Sequence, residues 1–220
     1  MNIKNKVCYI FGSCEAAQNA FDLTRNRENA LFIAADNGFN EMKRLAITPD
    51  IILGDFDSAP LTEEMKNCGA SIVRHPVEKD DTDLMLAIKV AFERGYRDFI
   101  IFGCLGGDRF DHSIATLQSL AYIASHGGKA TAFGKGDNGK VLCATVIKDS
   151  RIEFSSEMSG YVSVFSTVEK SEGVTLKGLK YPLTGATVSS FFPLGVSNAF
   201  TGEQSSIEVK NGTLLILYNK

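Results

Sequence analysis

The sequence predicts an α/β chain: a mostly parallel sheet with helices on both faces, followed by a small antiparallel β-sandwich domain. Three observations lead there. Up to Gly134, short apolar runs alternate with helix-like segments, whereas beyond it strand candidates follow one another without a long helical period. The 220 residues suffice for one large domain or two small ones, and at 44% hydrophobic and 22% charged they can build a packed core. Aspartate is divided as unevenly as the pattern, since eleven of the thirteen lie in residues 1–134.

The first half is justified run by run. Val7–Phe11, Ala30–Ala35, Ile51–Leu53, Ser71–Val73, Phe99–Phe102 and Ala130–Phe133 are short, largely apolar runs, as strands buried on both faces require. A helix is expected from about Asp81 to Arg94, where Leu84, Ala87, Ile88, Ala91 and Phe92 recur at helical spacing. A second is expected from about Asp111 to Ser125, with Ile114, Leu117, Leu120 and Ala121 on its apolar side. Gly95 and Gly127 stand just past the two ends, where a left-handed residue closes a helix. Gly134 to Gly139 reads as a loop by composition.

In the second half the strand candidates are Val141–Ile147, Arg151–Phe154, Tyr161–Phe165, Val174–Leu176 and Ala186–Phe191. Ser206–Lys210 and Thr213–Tyr218 flank Asn211-Gly212, a strong hairpin signal. The expected domains are residues 1–134 and 140–220.

Composition excludes several functions. A net charge of −3 argues against a generic nucleic-acid partner, which needs a basic footprint. No apolar run approaches the roughly 20 residues of a membrane span, and the N-terminal segment does not read as a secretory signal. Five cysteines, an odd number with no C-x-x-C pair, fit neither a disulfide framework nor a zinc knuckle, so a cytoplasmic location is expected. Three histidines poorly supply a His-rich metal centre, and G-x-S-x-G is absent.

Chemistry is expected where the acids fall. Such a Rossmann-like sheet binds ligands beyond the C-terminal ends of its strands. Asp36 follows one strand candidate, and Asp55 and Asp57 follow another. Asp80, Asp81 and Asp83 open one helix, Asp108 and Asp111 the next. Singly, each reads as a helix cap or a turn residue. Together on one rim they repel, which calls for a hard divalent cation such as Mg²⁺, and hence for phosphate chemistry. Gly103-Cys104-Leu105-Gly106-Gly107-Asp108-Arg109 adds a glycine-rich turn able to cradle phosphate, with Arg109 to grip it. It is neither a Walker A loop nor a dinucleotide fingerprint.

The residues then resemble a known family. Ala35-Asp36-Asn37-Gly38-Phe39-Asn40, Pro49-Asp50-Ile51-Ile52-Leu53-Gly54-Asp55-Phe56-Asp57-Ser58, Lys79-Asp80-Asp81-Thr82-Asp83 and Gly106-Gly107-Asp108-Arg109-Phe110-Asp111-His112 occur in that order. Gly178-Leu179-Lys180-Tyr181-Pro182-Leu183 and Gly195-Val196-Ser197-Asn198 follow in the β half. Together they resemble the thiamine pyrophosphokinase family over nearly the whole chain.

The resemblance implies transfer of the pyrophosphoryl group of ATP to the hydroxyl of thiamine, giving thiamine diphosphate and AMP, in a homodimer with thiamine held where two subunits meet. Residues 1–134 would be the catalytic nucleotide-binding domain and 140–220 the thiamine-binding one. Asp55, Asp57 and Asp83 would be the Mg²⁺ and catalytic carboxylates, with Asp80, Arg109 and Asp111 in the same catalytic set. Asp36, Asn37, Gly38, Lys79, Thr82 and Gly106 would line the nucleotide site. Ser197, Asn198 and Tyr181 would meet thiamine.

Three departures stand out. Asp108 lengthens the family's Gly-Gly-Arg-x-Asp-His by one residue, Lys79 replaces a Gln of some members, and no Trp is present to stack on the thiamine ring. Tyr181 or Phe200 is the candidate substitute. Two other readings stay open: pyrophosphoryl transfer to another hydroxylated heterocycle, and a non-catalytic thiamine or nucleotide sensor.

Overall fold

The structure, a computed structural model, describes residues 6–15, 22, 29–56, 60–74, 81–136 and 139–220. It divides into two compact units, residues 1–119 with 130–135, and residues 120–129 with 136–220.

In the first unit β1 (Val7–Phe11), β2 (Ala30–Ala35), β3 (Ile51–Gly54), β4 (Ser71–Arg74), β5 (Asp98–Phe102) and β6 (Lys129–Lys135) lie in the order β6-β5-β1-β2-β3-β4. β1 pairs in parallel with β2 and β5, β2 with β3, and β3 with β4. The continuous apolar runs have the expected cause: Ile10, Phe11, Ile33, Ile51, Ile52 and Leu53 are all fully buried. Aromatic rings brace the strands, Tyr9 stacking on Phe32 at 4.8 Å and Phe11 on Phe102 at 5.0 Å.

Four helices are described: α1 (Gly38–Arg44), α2 (Glu63–Asn67), α3 (Asp83–Glu93) and α4 (Phe110–Ser125). α1 and α2, of seven and five residues, are too short to print a helical period, so the strand–helix alternation implies helices there without marking their bounds. α3 buries Leu84, Ala87, Ile88 and Ala91, as its spacing demands. It ends in a Schellman motif, with Gly95 at φ 83 and its N–H on the Phe92 carbonyl at 2.9 Å, and the Tyr96 N–H on Ala91 at 3.0 Å.

α4 buries Leu120 as expected but corrects the start of its apolar side. Ile114 is 43% exposed, and the buried stripe of its first turns is Ser113, Thr116 and Ser119. The cause is a backbone packed against this face. Thr116 donates to the Cys104 carbonyl at 2.8 Å, while Ser113 Oγ accepts the Gly106 N–H at 2.9 Å. Short hydroxyls satisfy carbonyls and amides that a Leu would strand.

The second unit holds β7 (Val141–Lys148), β8 (Arg151–Phe154), β9 (Tyr161–Ser166), β10 (Lys170–Lys177), β11 (Leu183–Ser189), β12 (Gly195–Ala199), β13 (Ser205–Glu208) and β14 (Thr213–Asn219). They form two antiparallel sheets, β12-β9-β14-β7 and β11-β10-β13-β8, with Val162, Val164, Val174, Leu176, Ile207, Leu214 and Ile216 in the core.

The expected terminal hairpin does not form. β13 pairs with β10 and β8, β14 with β7 and β9, so Asn211-Gly212 carries the chain from one sheet to the other. Asn211 exchanges backbone hydrogen bonds with Glu172 at 2.8 and 3.2 Å, and the Gly212 N–H donates to Asp149 Oδ1 at 2.7 Å. Those distant partners override the local turn preference. β12 was also not expected, because Gly195 and a register shift before Asn198 break its alternation. β11 stops at Ser189, leaving Phe191 beyond it and exposed.

Candidate functional site

In the first unit the strand order reverses between β1 and β5. The chain steps outward from β1 through β2 and β3 to β4, then returns to β5 on the other side of β1. Such a reversal opens a crevice beyond the carboxyl ends of the strands. Two glycines let its walls meet. The Gly12 N–H donates to the Phe102 carbonyl at 2.8 Å and the Cys14 N–H to Gly103 at 2.9 Å. A Cβ on Gly12 would stand 2.7 Å from the Gly103 oxygen, and one on Gly103 would stand 2.7 Å from the Gly12 oxygen. Gly38 is as constrained, its imagined Cβ falling 1.9 Å from the Phe11 oxygen. These glycines are present because backbone meets backbone.

Asp36 leaves β2 at φ 52, its N–H on the Leu53 carbonyl at 2.8 Å, and its carboxylate accepts the Ser13 hydroxyl at 2.7 Å. Ser13 escaped the sequence reading; its signal is its place in the turn directly after β1. Asn37 precedes α1, and its side-chain oxygen accepts from Asn40. Asp55 follows β3, and Asp83 opens α3; both are half-buried. Thr82 caps α3, its hydroxyl accepting the Met85 N–H at 3.2 Å. Asp81 turns to Lys89, at 2.6 and 2.8 Å. Asp57, Lys79 and Asp80 lie outside the described residues.

The glycine-rich turn is held from two sides. Gly106 and Gly107 take φ of 90 and 78, conformations that L side chains resist. Ser113 clasps Gly106 from α4, and the Cys14 thiol faces the Gly106 carbonyl at 3.5 Å. Burial pushes the Cys104 thiol up to about 12, and burial with nearby Asp108 raises Cys14, so neither is a thiolate at neutral pH. All five cysteines are free. Beyond the turn, Arg109 forks onto Asp111 at 3.0 and 2.7 Å. That hydrogen-bonded guanidinium holds the Asp111 carboxyl down to about 2, and Asp111 in turn raises Arg109.

Among the described residues no group of three or more His, Cys, Asp or Glu gathers in metal-ligand fashion. The donor chemistry still fits a hard cation. Mg²⁺ needs one or two carboxylates and takes the rest from water and substrate phosphate, and Asp55 and Asp83 are such oxygen donors, following neighbouring strands.

The second unit separates its own candidates. Ser197 stands at φ 58, exposed, its N–H on Ser163 Oγ at 3.1 Å. Asn198 is buried. Its side-chain oxygen accepts the N–H groups of Tyr181 and Ala199, both at 2.9 Å, and its amide donates to the Tyr181 carbonyl at 2.7 Å. Phe200 packs into the core against Phe154 at 5.2 Å, whereas the Tyr181 ring is exposed, with Lys180 Nζ 5.3 Å from its centroid. No described helix is long and apolar enough to cross a membrane.

Two family models match the chain. The family model for "Thiamin pyrophosphokinase, catalytic domain" matches residues 24–132, and that for "Thiamin pyrophosphokinase, vitamin B1 binding domain" matches residues 149–214. The chain is 27% identical over 201 residues to the thiamine pyrophosphokinase of Bacillus subtilis (strain 168), across 86% of this chain and 87% of that one. Among solved structures, a thiamine pyrophosphokinase from Bacillus subtilis matches with a TM-score of 0.82 at 24% identity, covering 98% of this chain and 99% of that one. The yeast thiamin pyrophosphokinase matches with a TM-score of 0.76 at 14% identity, covering 100% and 88%.

Proposed function

The chain belongs to the thiamin pyrophosphokinase family, and on that premise we propose that it transfers the pyrophosphoryl group of ATP to the hydroxyl of thiamine. The hydroxyl oxygen attacks the β-phosphorus, the bond from that phosphorus to the α–β bridging oxygen breaks, and AMP leaves with thiamine diphosphate formed. The observation that carries this reading is that Asp36 and Asp55 directly follow β2 and β3 at their carboxyl ends, with Asp83 opening α3 and a glycine turn following β5 at the strand-order reversal.

Each residue type suits a task. Mg²⁺, which Asp55 and Asp83 would hold with Asp57, supplies charge neutralisation to the polyphosphate. The glycine-rich 103–107 turn lies beside the phosphates, with the Gly106 N–H held by Ser113, and Arg109 shifts its fork from Asp111 to phosphate as ATP enters. Asp36, Asn37 and Gly38 line the nucleotide pocket, with Lys79, Thr82 and Gly106. One carboxylate of Asp55, Asp57 and Asp83 takes the hydroxyl proton. Asp80 and Asp111 support the same set. The second unit supplies the thiamine side through the segments at Tyr181 and Ser197-Asn198. The working form is a homodimer in the cytoplasm, where free cysteines stay reduced.

The test is AMP release from Mg-ATP with and without thiamine, on wild type and Asp55→Ala. Thiamine-dependent AMP, reduced by at least about a hundredfold in the variant, is expected from the loss of a positioned charge-stabilising group. ADP in place of AMP would make the chain a simple kinase, and binding without turnover would make it a sensor.

A further inference from the structure

The segment 178–181 is pinned at four backbone groups. Gly178, at φ 66, accepts the Thr201 hydroxyl on its carbonyl at 3.0 Å, and a Cβ there would fall 2.3 Å from the Gln204 oxygen. Leu179 is buried in the core and bridges to Phe200. The Lys180 N–H donates to the Ala199 carbonyl at 2.9 Å. At Tyr181 both the N–H and the carbonyl are bound by one side chain, that of Asn198, which is 3% exposed. The product of this bracing is a ring that is itself 57% exposed. A surface tyrosine that served only solubility would need no such pedestal. The ring already has a cation near it, Lys180, as an electron-rich face would attract.

We propose that Asn198 is a positioning residue: it touches no thiamine atom and acts by fixing the backbone of Tyr181, whose ring is the face that receives the cationic heterocycle. The inference rests on the thiamine reading above. Chemically it is economical. Both lone-pair directions of Asn198 Oδ1 and one of its amide hydrogens are engaged within the protein, so Asn198 has little left to offer a ligand. Tyr181 offers an aromatic surface whose two side-chain torsions are cheap to order once its backbone is held. The buried Phe200, the other candidate ring, is consumed by the core.

The experiment is thiamine and ATP saturation kinetics on the full chain for Tyr181→Leu, Tyr181→Phe, Asn198→Asp, Asn198→Ser and the double variant Tyr181→Leu/Asn198→Asp, each with a melting curve. Loss of the ring raises the thiamine KM about tenfold, and Tyr181→Phe restores most of it. Asn198→Asp, which sets a carboxylate against the Tyr181 carbonyl, raises the thiamine KM severalfold with little change in the ATP KM, and Asn198→Ser serves if the acid does not fold. The double variant is no worse than Tyr181→Leu alone, because the two side chains act through one ring.

An Asn198 effect that persists undiminished without the ring would overturn the positioning role. So would a thiamine KM within about twofold of wild type in Tyr181→Leu, against the tenfold rise a lost cation–ring contact predicts. The chain has no Trp and six Tyr, so thiamine binding is also read by quenching of tyrosine emission. Quenching that vanishes in Tyr181→Phe from a wild type making no AMP would sink the proposed reaction and keep this inference. Neither quenching nor AMP would sink both.

Discussion

Gly38 shows what a single residue contributes to this crevice. Its missing side chain lets α1 start directly against the carbonyl end of β1, with 1.9 Å between an imagined Cβ and the Phe11 oxygen. Backbone on the receiving side cannot swing away, so Gly38→Ala is expected to cost about 3 kcal/mol in urea unfolding. Arg109 and Asp111 make a second prediction, about pH. The Asp111 carboxyl titrates at about 2 in the folded chain against an ordinary 3.8. The sign follows from linkage: the stabilisation is complete above the ordinary value and is lost as pH falls through about 2. Carboxyl NMR should find that low midpoint, and Arg109→Ala should return it to the ordinary range. If the fork closes on ATP, Arg109→Lys also raises the ATP KM, since a point charge cannot reproduce two parallel hydrogen bonds.

Among the elements, α4 shows where periodicity misleads. Counting apolar residues placed Ile114 inside, yet what its first turns bury is a stripe of serine and threonine, before Leu120 and Ile123 continue it. What decided it was the neighbour, a glycine turn whose Cys104 carbonyl and Gly106 N–H are met by Thr116 and Ser113, which a sequence window does not contain. Thr116→Val, isosteric but without the hydroxyl, leaves the Cys104 carbonyl one donor short and should destabilise by about 1–2 kcal/mol in chemical denaturation. Ser113→Ala should loosen the Gly106 end of the turn and raise the ATP KM more than the thiamine KM. By contrast, β1, β2, β3 and β5 were legible nearly to the residue, because strands buried on both faces must be apolar at every position. α3 was legible for the opposite reason: one face is buried and the other wet, so the period prints.

At the scale of the whole molecule, legibility tracked how local the cause is. The two-part order of elements and the positions of Asp36 and Asp55 just past β2 and β3 follow from runs within a few residues of each other. Ser13 beside Asp36 lies 23 residues away in sequence, and Asn198 under Tyr181 lies 17 away. No pattern of residue types announces such pairs. Assembly belongs to this scale too. If the working form is a homodimer with thiamine held between subunits, specific activity should fall on dilution together with the dimer fraction seen by sedimentation. Full activity in a demonstrated monomer would reject that form.

The crossing at Asn211-Gly212 has a consequence for synthesis. β14 is the last strand described, yet it sits inside its sheet, between β9 and β7, and pairs with both along most of its length. Until residues 213–219 have left the ribosome, β7 and β9 face a gap with their edges unsatisfied. The first unit has all its strands by Lys135 and is free to fold while translation continues. The second has to wait, holding exposed strand edges that invite pairing with other chains. A nascent chain stalled so that Gly212 is the last residue outside the exit tunnel should therefore be cut by protease throughout its second unit. Release of seven more residues should close it in one step.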